Sequence, residues 1–387
     1  MKYRNILYTL LFVFGSLSVQ ARPAALYPGS NVSYTVQKKH HPVVDKALEL
    51  MAEDLKSGAK PVKTDLLIYQ LDLASNKDMK ALGSLQAPVM DIIAKKDAFW
   101  IGTRGSKTVI VGSRDPNELV NGGGVRQLEE AGITVIQDFL REECDIINPI
   151  FFHYIKTKMP YVIVKYAMTA DGKTSLSTGE SRWITGDAAR ENVHRTRGTT
   201  SAIMCGIKTV LADDPMLNCR VEGPLYKQPV RVVLDRNLEL PLESNLVKTA
   251  GEIPVIVFTG KNSMASVSEA GKNILSGLGI EIIPVSEIVG HLNLHEVLSV
   301  LGEKKIDSVF VESGGTLNAS LFFAGGRCLV NELHCYVAPK ITGGINGSVH
   351  SPVQGLECSS LDDCVKMKMI EVKNFGEDIL IRYMICK

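Results

Sequence analysis

The strongest constraint on the fold is a regular alternation of strand-like and helix-like segments between residues 160 and 387. Runs rich in Val, Ile, Phe and Tyr alternate with segments whose apolar residues recur at helical spacing. The predicted strands cover residues 161–166, 201–205, 230–235, 255–258, 280–284, 308–311, 333–337, 368–372 and 379–385, and the predicted helices cover 187–197, 266–278, 295–304 and 316–323. This pattern predicts an α/β domain with a mixed, mostly parallel sheet flanked by helices, and an antiparallel hairpin formed by its last two strands.

The composition is that of an ordinary globular protein. The chain has 387 residues, 45% of them hydrophobic and 22% charged, a length that suggests two or three domains. Its formal net charge of +1 provides no broad basic surface, so neither nucleic acid nor an anionic membrane is expected as a partner. Any anionic ligand must therefore be bound by a local cluster of cations.

Residues 1–21 have the features of a secretory leader. Lys2 and Arg4 precede a mostly apolar run at 6–19, and Val-Gln-Ala at 19–21 predicts cleavage after Ala21. The alternative is a buried N-terminal strand or helix. The eight cysteines indicate another compartment, because all of them lie at or after Cys144, none forms a CxxC motif and several stand in apolar runs. We therefore expect a cytoplasmic protein, with a secreted or periplasmic location as the alternative.

Residues 22–113 predict a small α/β unit, with a helix over 43–55 and strands over 66–71, 98–101 and 108–111. His40 and His41 are interpreted as part of an exposed loop, since neighbouring side chains of an extended chain point apart and do not share a metal ion. The segment faintly resembles the accessory domain of secreted carbohydrate-active enzymes. It contains no pair of carboxylates spaced for glycosidase chemistry, so no catalysis is assigned to it.

A glycine run, 122–124, leads into the next predicted helix, which Gly132 ends before a strand at 133–136. We interpret the run as a tight turn in preference to a phosphate-binding loop, because no full dinucleotide fingerprint accompanies it. Pro149 is expected to interrupt a helix leading into Phe151 and Phe152.

Two loops follow the first strand of the large domain. Residues 168–173 turn tightly at Asp171-Gly172, and residues 178–185 read TGESRWIT. Ligands of open α/β sheets bind beyond the carboxyl ends of the strands, where these loops must lie. Trp183 either stacks on a planar ligand or fills the core, and the sequence leaves both interpretations open.

Arginines gather in the next segment, where they form a local positive site suited to a phosphate group. They are Arg182, Arg190, Arg195 and Arg197, followed by Arg220. A solvated helix face explains Arg190, and also Arg195, equally well. Two adjacent carboxylates, Asp213 and Asp214, precede a proline, so a turn or capping role for one leaves the other for the substrate.

Residues 309–317 combine a strand, an acid, two glycines and the start of a helix. Gly314 and Gly315 let backbone N–H groups approach a phosphate at the helix N-terminus, while Glu312 at the strand end can bind a polar ligand.

Together these clusters resemble one known family. The segments that carry the resemblance are KYAMTADGKTSLSTGESRWITG, HRTRGTTSAIMCGIKTVLADDPMLNCR, VRVVLD, VESGGTL and YVAPKITGG, in that order. They are similar to the reductase domain of the bifunctional riboflavin-biosynthesis deaminase/reductases, and 114–133 resembles the tail of the deaminase domain. The resemblance implies a dihydrofolate-reductase-like fold, a homodimer, and reduction by NADPH of the ribosyl group of 5-amino-6-(5-phosphoribosylamino)uracil to ribityl.

The resemblance also implies site residues. The substrate contacts fall on Ser181, Arg197, Leu217, Arg220 and Glu312. The dinucleotide contacts fall on Ala167, Trp183, Thr209, Asp213, Gly314, Gly315, Thr316, Leu317, Asn318, Ala319 and Ser320. Arg236 replaces a serine-like residue of the family and is expected to favour the 2'-phosphate of NADPH. Asp213 is expected near the reacting ribosyl carbon as the catalytic residue, where it assists proton delivery or electrostatics.

The sequence departs from the family before Cys144. The His-x-Glu and Pro-Cys…Cys motifs of the zinc deaminases are missing from it, so neither a metal nor zinc-dependent deamination is expected. The predicted organisation is a leader (1–21), a small α/β unit (22–113), a deaminase remnant with linker (114–159) and an NADPH-dependent reductase domain (160–387). The alternatives are a non-catalytic fusion with a secreted carbohydrate-associated module and a related pterin or dihydrofolate-type reductase.

Overall fold

The structure is a computed structural model of the chain. It describes residues 66–69, 100–103, 108–116, 122–130, 132, 134–138, 141–145, 148–223, 226–266, 273–274, 276–323, 326, 328–344 and 350–386. The predicted leader, the adjacent histidines and the helix predicted over 43–55 lie outside these residues. The chain divides into two compact units, Met1–Lys156 and Thr157–Lys387.

The first unit contains a four-stranded sheet in the order β1-β2-β3-β4, in which β3 and β4 are parallel and the other pairs antiparallel. Its elements are β1 (Leu66–Tyr69), β2 (Trp100–Thr103), β3 (Thr108–Val111), α1 (Gly123–Glu130), β4 (Thr134–Ile136), α2 (Arg141–Asp145) and α3 (Pro149–Thr157). The strand predicted over 98–101 lies two residues later in the structure. Gly122, at φ 75°, makes the turn into α1, as the tight-turn interpretation requires.

Pro149 corrects one prediction. It begins α3 instead of interrupting a helix. The first turn of a helix needs no N–H donor and the proline ring presets a helical φ, so this position suits proline.

The second unit is built from strands that alternate with helices. Its elements are β5 (Tyr161–Thr169), α4 (Asp187–Thr199), β6 (Ala202–Gly206), α5 (Ile207–Asp213), β7 (Val230–Leu234), α6 (Asn245–Lys248), β8 (Val255–Gly260), α7 (Lys261–Ser266), β9 (Ile280–Val285), β10 (Glu287–Ile288), β11 (His291–Leu292), α8 (Leu294–Glu303), β12 (Ser308–Glu312), α9 (Gly315–Phe323), β13 (Glu332–Ala338), β14 (Met367–Phe375) and β15 (Asp378–Ile385).

These strands form a nine-stranded sheet in the order β14-β15-β13-β5-β12-β6-β7-β8-β9. All pairs from β13 to β9 are parallel, whereas β15 pairs antiparallel with both β13 and β14. The predicted mixed, mostly parallel sheet with a terminal antiparallel hairpin is thus confirmed. The carboxyl ends of β5, β12, β6 and β7 lie side by side, so the loops that follow them meet at one edge.

The core consists of apolar strands covered by helices. Every residue of β8 is buried, as expected for a parallel strand with both faces covered. The buried side of α8 carries Leu294, Val297, Leu298 and Leu301 at helical spacing, and Asn293 accepts a hydrogen bond from the Glu296 N–H at its start. This packing holds the carboxyl edge of the sheet in place.

Candidate active site at the carboxyl edge of the sheet

A lysine and a glutamate face each other on neighbouring strands. Lys165 of β5 is the register partner of Glu312, the last residue of β12. The Lys165 Nζ lies 3.5 Å from Glu312 Oε2, and the two side chains are only 18% and 12% exposed. A charged pair this buried requires further polar partners.

Arg197, in the last turn of α4, supplies them. Its Nε and Nη2 donate to the two carboxylate oxygens of Glu312 at 2.5 and 3.1 Å, a bidentate arrangement, and its Nη1 donates to the Asn218 carbonyl at 3.1 Å. Burial alone would raise the pKa of Glu312, but Arg197 and Lys165 lower it from 4.5 to about 2. Burial alone would lower the pKa of Arg197, but Glu312 raises it above its ordinary value. The cluster therefore holds two cations and one carboxylate.

The segment after α5 packs against this cluster. The Asn218 carbonyl also contacts His194 Nδ1 at 3.1 Å. The pKa of His194 is lowered, first by burial and then by Arg197. Leu217 is buried at a φ of 45°, a left-handed conformation that is costly for a leucine. Arg220 is exposed, and its Nε donates to Asn218 Oδ1 at 3.3 Å.

Trp183 lies on the surface with 62% of its area exposed. The guanidinium carbons of Arg190 and Arg182 lie 4.3 and 5.9 Å from its ring centroid, within cation–π range. Lys340 Nζ donates to the Trp183 carbonyl at 2.7 Å. The core-filling alternative for Trp183 is therefore wrong, and the ring is accessible to a planar ligand.

The two adjacent carboxylates have separate roles. Asp214 ends α5 in the left-handed region, and its Oδ1 accepts from the Asn245 N–H at 2.8 Å, at the start of α6. Asp213 instead faces Arg182, whose Nη2 lies 3.4 Å from its Oδ1. Asp214 thus has the turn role expected for one of the two carboxylates, whereas Asp213 forms an ion pair with Arg182. The helix α5 that carries Asp213 was not expected from the sequence.

The two glycines before α9 differ in their surroundings. A Cβ on Gly314 would meet nothing within 4 Å, whereas a Cβ on Gly315 would collide with the Ser351 carbonyl. Asn318 is fully buried; its Nδ2 donates to the Pro352 carbonyl at 2.8 Å. The start of α9 thus has open space at Gly314 and a packed support behind Gly315.

The loops after β5 and β13 are held together at the carboxyl edge of the sheet. Asp171 accepts from Thr169 Oγ1 at 2.5 Å and from the Gly343 N–H at 2.8 Å, and these bonds, the Thr169 bond first, lower its pKa. The predicted Asp-Gly turn is present, with Gly172 at φ 77°. The hydrogen bond between Asp171 and the Gly343 N–H connects the loop after β5 to the loop after β13.

Comparison with known proteins decides the family. The sequence profile described as the RibD C-terminal domain matches residues 160–381. The chain belongs to this family. It is 45% identical over 282 residues to the riboflavin biosynthesis protein RibD of Actinobacillus pleuropneumoniae, covering 73% of this chain and 72% of the relative. It is 38% identical to the protein of the same name from Bacillus amyloliquefaciens, over 71% of each chain.

Solved structures agree. Acinetobacter baumannii RibD, form 1, superposes with a TM-score of 0.60 at 31% identity, over 73% of each chain. A diaminohydroxyphosphoribosylaminopyrimidine deaminase/5-amino-6-(5-phosphoribosylamino)uracil reductase from Thermotoga maritima superposes with a TM-score of 0.59 at 31% identity, over 72% of this chain and 71% of the other. The dihydrofolate-reductase-like fold and the resemblance to the reductase domain are therefore confirmed.

Within this RibD C-terminal domain the predicted site residues fall into three groups. Arg197 and Glu312 are in direct contact. Other residues lie on β5 or on the loops and helices that follow the strands: Ala167 on β5, Ser181 and Trp183 after it, Thr209 and Asp213 on α5, Leu217 and Arg220 beyond, Gly314 before α9, and Gly315, Thr316, Leu317, Asn318, Ala319 and Ser320 on α9. Arg236 follows β7 and donates from Nη1 to the Gly290 carbonyl in the turn between β10 and β11.

Sequence reasoning missed Lys165. It is the single charged residue of β5, whose other members are mostly apolar (YVIVKYAMT). A lysine in such a strand is costly to bury without a partner, and this is the signal that could have identified it.

Proposed function

We propose that the chain is a 5-amino-6-(5-phosphoribosylamino)uracil reductase of riboflavin biosynthesis that converts the ribosyl group to ribityl with NADPH. One observation carries the proposal. The Lys165–Glu312–Arg197 cluster lies at the carboxyl edge of the sheet, where Ser313 and Gly314 connect Glu312 to the start of α9 at Gly315. Membership of the RibD C-terminal domain family supports a reductase.

The charges of the cluster suit a phosphorylated substrate. Lys165 and Arg197 provide two cations for one carboxylate, and Arg220 reaches the same Asn218 from the solvent side. An excess of positive charge at a partly buried site favours a phosphate dianion. We assign the 5-phosphate to this side, with Arg220 as its exposed contact, and assign Glu312 to a hydroxyl or N–H donor of the substrate.

The residues near α9 fit a dinucleotide. The open space at Gly314 lets a phosphate approach the N-terminus of α9, where backbone N–H groups carry partial positive charge. The exposed ring of Trp183 offers a stacking surface, and the exposed Arg236 is available to a 2'-phosphate. When bound, NADPH supplies the hydride.

The proposed reduction also requires a proton donor. Reduction breaks the bond between C1' and the ring oxygen of the ribosyl group, adds a hydride to C1' and leaves a proton on that oxygen. We assign the proton to Lys165, an ammonium held at the cluster by Glu312. Asp213 faces Arg182, whose Nη2 lies 3.4 Å from its Oδ1. We assign Asp213 an electrostatic role beside the reacting carbon.

The decisive experiment follows NADPH oxidation by the full chain with the deaminated substrate. Turnover is expected, and Arg197→Ala is expected to abolish substrate binding. Arg195→Ala is the matched control, because Arg195 lies on the same helix but is exposed and forms its ion pair with Glu191, outside the cluster. Turnover of dihydrofolate in place of the uracil substrate, or equal effects of the two substitutions, would contradict the proposal. Wild-type turnover by Asp213→Asn would remove Asp213 from the site.

We also propose that the domain forms a homodimer through β14 and β15. Met369, Val372 and Ile379 on these strands are 59, 53 and 39% exposed, and β14 is an edge of the nine-stranded sheet. Apolar side chains on an open edge favour association. Light scattering should give twice the monomer mass for the wild type and the monomer mass for Val372→Glu; an unchanged dimer in the variant would place the interface elsewhere.

We place the activity in the cytoplasm, where reduced dinucleotide and a phosphorylated pyrimidine are both available. None of the helices in the described part of the chain has the length and hydropathy needed to cross a bilayer. Cell fractionation with an antibody to the reductase domain tests this, and an exported, shortened chain would argue for the leader.

A further inference from the structure

The segment between β13 and β14 carries two cysteines that the proposed reaction does not use. Cys358 and Cys364 are half-buried, and their sulfur atoms lie 2.7 Å apart. A covalent S–S bond measures about 2.05 Å, so the sulfurs need to approach by only about 0.7 Å to form one. Thiols are weak hydrogen-bond donors and acceptors, and a thiol–thiol hydrogen bond does not explain so close an approach.

A compact turn holds the two cysteines together. Asp363 Oδ2 accepts hydrogen bonds from Ser359 Oγ at 2.9 Å and from Ser360 Oγ at 2.7 Å, and the Cys364 N–H donates to the Leu361 carbonyl at 3.4 Å. The carboxylate is thus at the centre of the turn. The geometry that brings the sulfurs together belongs to the backbone of the turn, so either redox state can retain it.

We propose that Cys358 and Cys364 are a redox-active pair that forms a reversible disulfide. The oxidant is a low-molecular-weight disulfide such as oxidised glutathione. One cysteine sulfur attacks it and releases one glutathione thiol, the second attacks the mixed disulfide and releases the other, and two protons leave the protein.

The pair lies in a segment that supports the dinucleotide site. The Gln354 N–H donates to the Gly315 carbonyl at 3.0 Å, and the His350 carbonyl accepts from the Thr174 N–H at 3.0 Å. Val353 and Val365 pack against the core on either side of the cysteines. A disulfide between Cys358 and Cys364 shortens the path between Val353 and Val365. It thereby holds residues 350–355 against the start of α9. The oxidised enzyme should therefore bind the dinucleotide more tightly.

Mass spectrometry of the full chain tests the bond without reference to activity. The chain is incubated with oxidised or reduced glutathione, alkylated, denatured and digested with trypsin, which leaves both cysteines in the peptide 341–366. After oxidation this peptide should lack alkyl groups and be lighter by two hydrogen atoms, and reduction should restore two alkylation sites. Cys358→Ser should abolish the change, whereas the exposed Cys386 provides the control variant Cys386→Ser, which should not. Two alkylated cysteines in the peptide, while Cys386 has become a mixed disulfide with glutathione, would overturn the proposal.

A second measurement concerns the consequence and rests on the proposed function. The KM for NADPH should be several-fold lower in the oxidised than in the reduced wild type, with kcat unchanged, and the Cys358→Ser variant should lose the difference. If the bond forms but KM does not change, the control of dinucleotide binding is refuted. If no NADPH is oxidised in either state, the proposed function fails while the mass measurement still decides the disulfide.

Discussion

Replacement of Glu312 by glutamine removes the charge at the centre of the Lys165–Glu312–Arg197 cluster and keeps the shape of the side chain. Folding lowers the pKa of Glu312 from 4.5 to about 2, which corresponds to about 3 kcal/mol of stability at neutral pH. Since the pKa is lower in the folded state, this stability is complete above pH 4.5 and is lost as the pH falls towards 2. We therefore expect Glu312→Gln to cost about 3 kcal/mol at pH 7, and the difference from wild type to narrow below pH 4.5.

Urea denaturation of the ligand-free chain measures the free energy of unfolding of wild type and variant. It is followed by far-ultraviolet circular dichroism at pH 7 and at a pH near 4, so that the two differences in stability can be compared. Glu191→Gln is the matched control, because Glu191 pairs with Arg195 on the same helix but the two side chains are 57 and 53% exposed. An exposed pair of this kind contributes less than about 1 kcal/mol. The reasoning is refuted if the two variants lose equal stability, or if the Glu312→Gln difference grows as the pH falls.

Four further substitutions separate binding from folding. Trp183→Ala should raise the KM for NADPH about threefold to tenfold and leave the melting temperature unchanged, because its exposed ring contributes about 0.5–1.5 kcal/mol only when a planar ligand stacks on it; an unchanged KM would exclude stacking. Gly315→Ala should destabilise the chain by about 1–3 kcal/mol, because the new methyl group collides with the Ser351 carbonyl. Gly314→Ala should leave the stability unchanged and raise the KM for NADPH. Thermal melts in which Gly314→Ala is the less stable variant would contradict the packing described. Arg231→Met should lower the free energy of unfolding by at least about 2 kcal/mol, because the fully buried guanidinium donates to several carbonyl oxygens that would lose their partner; a urea midpoint equal to that of wild type would be evidence against this.

Local sequence pattern was sufficient for most strands of the large domain. β8 begins with the continuous apolar run VIVF, and such a run predicts a buried parallel strand whatever its neighbours are. β7 is apolar except for Arg231. Helix α8 follows from its apolar spacing and from Asn293 at its start. The short helix α5 was not predicted, because its seven residues show no clear period and end in the adjacent aspartates, which favour a turn.

The site was predictable only in part. The glycines before α9 and the arginines of α4 carry recognisable chemistry, and the resemblance to the family placed Glu312 among the ligand contacts. The pairing of Glu312 with Lys165 was not predictable, because it depends on the insertion of β12 beside β5. The exposure of Trp183 likewise depends on what packs around the loop, since a tryptophan suits both the core and a binding surface.

The position of β12 constrains the order in which the chain can fold during synthesis. β12 lies between β5 and β6, although β5 and β6 are synthesised long before it. Until β12 leaves the ribosome, β5 and β6 have no strand between them. Arg197 also lacks its ion-pair partner Glu312, which lies 115 residues later in the sequence. Contacts this distant in sequence slow folding and leave apolar strand edges exposed in the meantime. Nascent chains that stop before Glu312 should therefore bind chaperones and resist refolding, while the addition of β12 joins β5 to β6 and completes the Lys165–Glu312–Arg197 cluster in one step.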